Sequence, residues 1–322
     1  MLNEFGLISR YFDRPLGSAE KVVLGVGDDC ALLAPTPGMQ LAVSSDMLIE
    51  QRHFLVQADP FLLGHKSLAV NLSDLAAMGA QPLAFTLALA LPAIDEDWLQ
   101  GFSDGLLALA QRHDCPLVGG DTTRGPLAIS ITVFGEVPPG QAPRRAAARS
   151  GDDIWVSGEL GEARLALAAL QGEIALDAHQ LQACSARLHQ PEPRLALGLA
   201  LRGLAHAAID VSDGLSGDLG HILQRSAKGA VLHADALPLG PILQQQERAL
   251  RHRYALTGGD DYELCFTAAP EQRDAVLAAA QSAATPVTRI GHITEAAGLR
   301  LLDADGAELV MALASFDHFP TP

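Results

Sequence analysis

The segment DPFLLGHKSLAVNLSDLAAMGAQPLAFTLALAL (residues 59–91) joins a helix pattern to a strand pattern and so indicates the fold class. Asp59 and Pro60 are typical of an N-cap and a first helical position, and the apolar pattern predicts a helix that ends at Gly79. The apolar run Pro82–Leu91 that follows predicts a strand. A long helix leading directly into a strand favours the α/β class, with α+β mixed sheets as a variant.

The remaining segments extend this alternation and divide the chain. Strands are predicted at Leu41–Val43, Leu127–Val137, Asp153–Ser157 and Ala207–Val211, helices at Asp95–Arg112 and after Asp213, and a hairpin at Tyr254–Thr267. Residues 138–151, PPGQAPRRAAARSG, have no apolar periodicity and predict a linker. Because 322 residues exceed most single cores, we expect two domains, 1–137 and 152–322.

Composition and charge narrow the classes of function. The formal net charge of −16 disfavours a nucleic-acid partner, because binding to a phosphate backbone needs clustered Lys and Arg. No run of eighteen apolar residues predicts a membrane span, and the N-terminus lacks the basic region of a secretion signal, so we expect a cytoplasmic protein. The cysteines are scattered without zinc-binding spacing, and we expect ordinary buried thiols at Cys30, Cys115, Cys184 and Cys265.

Acidic residues recur beside Gly, Ser or Asn, mostly where an apolar run ends. The motifs are Gly27-Asp28-Asp29, Ser44-Ser45-Asp46, Asn71-Leu72-Ser73-Asp74, Gly119-Gly120-Asp121, Asp210-Val211-Ser212-Asp213 and Gly258-Gly259-Asp260-Asp261. Each motif alone could be a turn or a cap. Converging carboxylates repel one another unless a cation lies among them, and Mg²⁺ prefers oxygen ligands. The set therefore predicts a magnesium site built from several carboxylates.

A usual partner of such magnesium ions is a nucleotide phosphate. The chain contains no P-loop motif, and its lysines are Lys21, Lys66 and Lys228. Metal ions would therefore neutralise most of the phosphate charge. Arg144, Arg145 and Arg149 in the linker could assist, or could form a solvated basic cluster.

The predicted helix before Gly79 carries one of these acids on an otherwise apolar face. Val70, Asn71 and Asp74 share that face, and a buried carboxylate needs a partner. Asp74 is therefore either a metal ligand or a hydrogen-bonded contact between helices. If Asp28 and Asp29 lie in extended backbone, they point to opposite sides and need not bind one ion.

The motifs together resemble a known family. GVGDDCALL, AVSSDMLIEQRHF, GHKSLAVNLSDLAAMGAQP, VGGDTTRGPL, AIDVSDGLSGDLGHI, TGGDDYELCF and the terminal FDHF are similar, in order, to the thiamine-monophosphate kinase family. That family belongs to the aminoimidazole-ribonucleotide-synthetase-like superfamily. The resemblance covers nearly the whole chain.

The resemblance implies an activity and an architecture. The reaction is ATP-dependent phosphorylation of thiamine monophosphate to thiamine diphosphate, the last step of thiamine diphosphate biosynthesis, by direct Mg²⁺-assisted in-line transfer. Such enzymes are homodimers in which the N-terminal domains form a barrel-like core, and the C-terminal half is a separate α/β domain.

The resemblance also implies roles for individual residues. Magnesium ligands would be Asp29, Ser44, Ser45, Asp46, Asp74, Asp121, Asp210 and Asp213, of which Asp46, Asp74 and Asp121 would be catalytic. ATP contacts would be Gly120, Asp121, Arg145 and Ser212. Contacts to thiamine monophosphate would be His53, Asp260 and Phe316.

Two departures from the family pattern and two other functions stay open. The chain has Ser45 where the family usually has Thr, and Asp260 where it usually has Glu, so Asp261 or Glu263 could take part of the substrate role. The protein could instead be another ATP-dependent synthetase of the superfamily, including a selenophosphate-forming enzyme. It could also be a non-catalytic sensor of nucleotide or thiamine diphosphate.

Overall fold

The computed structural model describes residues 4–13 and 20–313. The chain divides into two compact units between Gly140 and Gln141, within the segment that the sequence predicts as a linker. The short stretch Ala76–Gly79 belongs to the C-terminal unit. In the described part of the chain, no helix is long and apolar enough to cross a membrane.

The N-terminal unit contains a four-stranded mixed sheet and a separate two-stranded antiparallel pair. Its strands are β1 (Val22–Leu24), β2 (Leu32–Leu33), β3 (Gln40–Ile49), β4 (Gln81–Leu91), β5 (Leu117–Arg124) and β6 (Ala128–Val137). Its helices are α1 (Glu4–Leu7), α2 (Pro60–Ala77) and α3 (Glu96–Arg112). The strand order is β3-β6-β4-β5, and β4 and β5 are the parallel pair. Strands β3 and β5 are therefore the two edges of the sheet.

The caps of α2 and α3 confirm the helix starts that the sequence predicts. The Leu62 N–H donates to Asp59 Oδ1 over 3.1 Å, and Asp95 Oδ1 accepts from the N–H groups of Asp97 and Trp98. These bonds satisfy amides that a helix start leaves without intrahelical partners. The Trp98 ring stacks on Phe102 with a centroid distance of 4.9 Å, which fixes the buried face of α3.

Strand β3 continues beyond the apolar run that predicts it, and strand β5, which the sequence analysis does not predict, also contains polar residues. Ser44, Ser45 and Asp46 lie inside β3, which pairs with β6 along its whole length. Gly120 and Asp121 likewise lie inside β5, which pairs with β4 as far as Arg124. Both strands lie at sheet edges, where polar side chains are tolerated because one side of the strand is open.

The C-terminal unit is a six-stranded sheet with helices packed around it. Its strands are β7 (Asp153–Ser157), β8 (Ala205–Val211), β9 (Gly229–His233), β10 (Glu263–Ala268), β11 (Val287–Thr294) and β12 (Gly298–Leu302). Its helices are α4 (Glu162–Leu170), α5 (Ala178–His189), α6 (Leu195–Ala200), α7 (Leu215–Ser226), α8 (Arg248–Thr257) and α9 (Arg273–Ser282). The order is β12-β9-β11-β7-β10-β8, with β12 and β9 parallel and the other pairs antiparallel. Mixed sheets in both units confirm the predicted α/β class with α+β character.

The hairpin predicted over Tyr254–Thr267 is wrong. Tyr254 lies in helix α8, where it is buried, and β10 begins only at Glu263. Strand β10 pairs with β7 on one side and β8 on the other, so its partners are distant in sequence. The Gly-Gly-Asp-Asp segment is the loop that connects α8 to β10. The N–H groups of Asp260 and Tyr262 donate to carbonyl oxygens at the end of β8 instead of closing a hairpin turn.

An ion pair in the C-terminal unit gives a pH-dependent prediction for stability. The Arg248 guanidinium, with help from the Ala304 N–H and His252, lowers the pKa of Asp235 to about 2. Since the folded-state pKa lies below the ordinary carboxyl value, this pairing stabilises the fold above about pH 4 and the gain disappears as the pH falls toward 2. We expect Asp235→Asn to lower the free energy of unfolding by about 1 kcal/mol at neutral pH.

Urea unfolding of both proteins at several pH values checks this prediction. The difference between wild type and Asp235→Asn should shrink as the pH falls from about 4 toward 2. A difference that stays constant over that range would show that the charge of Asp235 does not stabilise the fold.

Candidate functional site

Helix α2 and strand β3 bring three predicted ligands of the N-terminal unit together. The Ser44 hydroxyl donates to Asp74 Oδ2, and the Asp46 N–H donates to Asn71 Oδ1 over 3.0 Å. Residues 44 and 46 share one face of β3, and residues 71 and 74 lie one turn apart on α2. The Asp74 carboxylate therefore contacts a hydroxyl of strand β3, and its role as a metal ligand stays a prediction.

Ser45 lies on the other face of β3. Its hydroxyl donates to the Ile131 carbonyl oxygen over 3.1 Å and lies 2.9 Å from Thr132 Oγ1. Successive side chains of a strand point to opposite faces, so Ser45 is separated by the sheet from Ser44 and Asp46. Within one chain, Ser45 therefore does not join the oxygen group around Asp74.

Gly120 and Asp121 lie at the opposite edge of the sheet from Asp46. The register aligns Asp46 with Ile131, Leu87 and Gly120, so three strand spacings, or roughly 14 Å, separate β3 from β5. Asp121 is exposed and lies one row further along, on the face that also carries Ser45. A single chain therefore does not bring Asp121 next to Asp46.

Gly120 occupies a position that only glycine fits. Its φ is +149°, and a Cβ atom built there would lie 1.8 Å from the Leu87 carbonyl oxygen. Its neighbour Gly119 has room, since the nearest atom to its built Cβ is Thr86 Cγ2 at 4.0 Å. The missing side chain at residue 120 lets β5 lie directly against β4 just before Asp121.

Asp29 and Cys30 lie in the loop between β1 and β2, and both are exposed. The Asp29 N–H donates to Asp28 Oδ1 over 3.0 Å, so Asp28 stabilises the loop. The loop is bent rather than extended, so the alternation of side chains along a strand does not apply to Asp28 and Asp29. The expectation that Cys30 is buried is also wrong, whereas Cys115, Cys184 and Cys265 are buried as expected.

His53 follows the end of β3 and is held by that strand. Its Nδ1 atom accepts from the Ile49 N–H over 3.0 Å. A ring nitrogen that accepts carries no proton, so the neutral ring has its proton on Nε2. This bond fixes the orientation of a side chain that the family resemblance assigns to substrate contact.

In the C-terminal unit, the predicted ligands lie at the end of β8. Asp210 is buried inside the strand, and Ser212 and Asp213 form the loop that leads into α7. The Oδ2 atom of buried Asp218 accepts from the N–H groups of Ser212, Asp213 and Gly214 at 3.0, 3.1 and 3.0 Å. Asp218 thus fixes the backbone of this loop.

Asp218 was missed by the sequence reading. Burial, together with the charge of Asp213, raises the pKa of Asp218 to about 7. In the sequence, Asp218 is the second acid of the motif SDGLSGD and lies four residues after Gly214. By its position alone it cannot be distinguished from an ordinary acidic residue in the first turn of a helix.

The loop before β10 is built against the same backbone. The Asp260 N–H donates to the Ser212 carbonyl oxygen over 2.9 Å, and the Tyr262 N–H donates to the Val211 carbonyl oxygen over 2.8 Å. Asp260 and Tyr262 have positive φ values of 68° and 50°. The Tyr262 hydroxyl also donates to Asp260 Oδ1 over 3.3 Å. The structure therefore brings Asp260 next to Ser212 and Asp213.

The other two acids of this loop make contacts inside the unit. Both carboxylate oxygens of Asp261 accept from the Gly161 N–H, at 3.0 and 2.9 Å, and burial raises the pKa of Asp261 well above its usual value. Glu263 is buried, accepts from the Ser157 hydroxyl and forms a two-point ion pair with Arg194. These contacts give Asp261 and Glu263 structural partners at the start of α4 and on the sheet.

The structure gives less information on the two remaining predicted residues, Arg145 and Phe316. Arg145 begins a short helical turn, its side chain is exposed, and its carbonyl oxygen accepts from the Ser226 hydroxyl over 2.9 Å. Phe316 lies outside the described residues.

The donor atoms around Asp74 fit a hard cation in chemistry. Ser44, Asp46 and Asp74 supply hydroxyl and carboxylate oxygens, which are the ligands that Mg²⁺ takes in proteins. Across residues 4–13 and 20–313, however, no three His, Cys, Asp or Glu side chains gather closely enough to hold a metal ion by themselves. The full set of eight ligands thus stays a prediction.

Two family models match the chain in the order of its units. The model described as AIR synthase related protein, N-terminal domain, matches residues 27–137. The model for the C-terminal domain of the same family matches residues 149–303.

Named relatives match along nearly the whole length. Thiamine-monophosphate kinase of Escherichia coli (strain K12) is 47% identical over 324 residues, which cover 99% of each protein. The crystal structure of thiamine-monophosphate kinase from Stenotrophomonas maltophilia K279a is 51% identical with a TM-score of 0.83, covering 89% of this chain and 92% of that chain. The structure of AaThiL complexed with AMPPCP and TMP is 28% identical with a TM-score of 0.76, covering 89% of each chain.

Proposed function

The chain belongs to the thiamine-monophosphate kinase family of AIR synthase related proteins, and we propose that it transfers the γ-phosphoryl group of ATP to thiamine monophosphate. The products are thiamine diphosphate and ADP, and the reaction is the last step of thiamine diphosphate biosynthesis. Full-length similarity to kinases of this name carries the proposal. A related protein in complex with an ATP analogue and TMP supports both substrates.

The acceptor chemistry explains why this chain needs no strong general base. The second pKa of a phosphate monoester is about 6, so the attacking oxygen is largely ionised at neutral pH. The remaining obstacle is repulsion between two phosphate groups, which positioning and fixed charges must overcome. In our proposal, Gly120, Arg145 and Ser212 bind ATP, whereas His53, Asp260 and Phe316 bind thiamine monophosphate.

The acids would hold the magnesium ions that this chemistry uses. We propose Asp29, Ser44, Ser45, Asp46, Asp74, Asp121, Asp210 and Asp213 as the ligands. Bound Mg²⁺ would neutralise the charge of the phosphates during transfer. Asp218 and Asn71 accept from the backbone N–H groups of Asp213 and Asp46, so the backbone at these two proposed ligands is held in place.

We also infer that the protein is a homodimer that pairs through β3. This edge strand carries a row of exposed apolar side chains on the face opposite α2, namely Leu41, Val43, Met47 and Ile49. An open strand edge with an apolar face is a template for pairing with a second copy. Such pairing would extend the sheet toward the barrel-like core that the family resemblance implies.

Light scattering measures this association directly. We expect twice the chain mass of 33.8 kDa, and we expect Leu41→Glu to shift the mass toward one chain. The control is Leu277→Glu, which adds the same charge at an exposed leucine of α9 and should leave the mass unchanged. A wild-type mass near one chain would contradict the dimer.

The activity itself is tested by product analysis. Purified protein is incubated with ATP, MgCl₂ and thiamine monophosphate, and the products are separated by chromatography. Thiamine diphosphate and ADP should form in equal amounts, and EDTA should abolish both. ATP hydrolysis without thiamine diphosphate would indicate another acceptor, as in a different synthetase of the superfamily, and binding without turnover would indicate a sensor.

Because ATP and thiamine monophosphate are cytoplasmic metabolites, we place the protein in the cytoplasm.

A further inference from the structure

Asp218 makes more contacts than the cap of a helix requires. Its side chain is 3% exposed, and its Oδ2 atom accepts three consecutive backbone N–H groups, those of residues 212–214. Gly214, at the N-cap of α7, has no side chain to satisfy these amides. In the described part of the chain, the side-chain hydrogen bonds of Asp218 all come from this loop. Burying a carboxylate is costly, and here the three amides offset part of that cost.

A second layer of contacts depends on the same backbone. The carbonyl oxygen of Ser212 accepts from the Asp260 N–H, and that of Val211 accepts from the Tyr262 N–H. Gly259 lies so close that a Cβ atom there would be 2.4 Å from the Ser212 carbonyl oxygen. Since Asp260 and Tyr262 have positive φ values that non-glycine residues rarely adopt, surrounding contacts must hold them in place.

We propose that Asp218 is a positioning residue that sets the ATP and metal loop at residues 212–214 and, through it, the substrate loop at residues 259–262. The proposal rests on the proposed function, which assigns Ser212 and Asp213 to ATP and metal and Asp260 to thiamine monophosphate. Asp218 itself contacts neither substrate in this assignment. It acts by fixing the loop amides, and the carbonyl oxygens of Ser212 and Val211 on the same backbone then accept from the N–H groups of Asp260 and Tyr262.

Two substitutions separate this role from the charge of the carboxylate. Asp218→Leu keeps the approximate volume but removes the acceptor, so both loops should shift. We expect kcat/KM for both substrates to fall about 10²-fold, which is the cost of a misplacement of about 1 Å. Asp218→Asn keeps an oxygen that can accept the three N–H groups, and it should retain kcat/KM within about tenfold of wild type.

Amide hydrogen exchange gives a readout that needs no activity. In Asp218→Leu, the amides of residues 212–214 and those of Asp260 and Tyr262 should lose protection together, whereas β7 keeps its protection. The control is Asp153→Asn, which removes another buried carboxylate, one paired with Arg273 and Arg289, and should leave both loops protected. If Asp218→Leu does not fold, Asp218→Glu moves the carboxylate by one methylene and should show the same loop exchange at smaller amplitude.

A cap that serves only the helix would give a different pattern. Loss of protection confined to residues 212–218, with Asp260 and Tyr262 unchanged and kcat/KM for both substrates unchanged, would overturn the proposal. A wild-type protein that makes no thiamine diphosphate would refute the proposed function instead. In that case, the exchange of Asp260 and Tyr262 in Asp218→Leu would still decide whether Asp218 couples the two loops.

Discussion

Replacing Asp74 with asparagine is expected to lower kcat/KM for thiamine diphosphate formation by about 10²- to 10³-fold, with little loss of stability. Asparagine has the same shape and can still accept the Ser44 hydroxyl, so the contact between α2 and β3 survives. What disappears is a negative charge beside the Ser44 hydroxyl, next to the face of β3 that also carries Asp46. Removing one electrostatic group that stabilises the transition state typically lowers kcat by about 10²- to 10³-fold.

Steady-state kinetics over a range of MgCl₂ concentrations, together with thermal unfolding, checks this expectation. Asp74→Asn should also require more Mg²⁺ for half-maximal rate. The control is Asp104→Asn, an equally isosteric change on the exposed surface of α3, which should alter neither quantity. Equal losses of rate and of thermal midpoint in Asp74→Asn would identify Asp74 as a purely structural residue.

Replacing Gly120 with alanine is expected to abolish activity and to lower the free energy of unfolding by about 3 to 5 kcal/mol. An alanine there would be strained at a φ of +149°, and its Cβ would overlap the Leu87 carbonyl oxygen at 1.8 Å. Backbone strain and overpacking each cost about 1 to 3 kcal/mol. The overlap can be relieved only if β5 moves away from β4, which displaces Asp121 as well.

Gly119→Ala is the matched control for this change. It adds the same methyl group one residue earlier in the same strand, where the nearest atom is 4.0 Å away. Urea unfolding should place this variant within about 1 kcal/mol of wild type. If the two alanine variants were equally stable, the close approach of β5 to β4 would not be a requirement of the fold.

The sequence predicted the helices and strands whose bounds depend on residues close together in the chain, such as caps, glycine stops and apolar runs. Helix α2 and strand β4 follow from the N-cap at Asp59, the stop at Gly79 and the apolar run behind it, and the structure confirms both. The polar continuations of β3 and β5 could not be predicted, because pairing with β6 and β4 holds these segments extended despite their Ser, Gly and Asp residues. The hairpin prediction failed for the same reason, since β10 pairs with strands far away in sequence.

The candidate site shows the same limit. The helical face that carries Asp74 could be predicted from residue spacing, but its contact with Ser44 depends on how α2 packs on β3. The opposite edges occupied by Asp46 and Asp121 follow from strand order, which no motif encodes. The role of Asp218 depends on the three-dimensional path of one loop, so its acid looks ordinary in the sequence.

The most direct test of the proposed reaction is the stereochemical course at phosphorus. ATP made chiral at the γ-phosphorus with oxygen isotopes is converted by the wild-type protein in MgCl₂ with thiamine monophosphate, and the terminal phosphorus of thiamine diphosphate is analysed. Direct in-line transfer predicts that the label appears there with inverted configuration. Retained configuration would contradict direct transfer, because it requires a second displacement through a phosphorylated protein group, and label found only in inorganic phosphate would contradict the kinase activity itself.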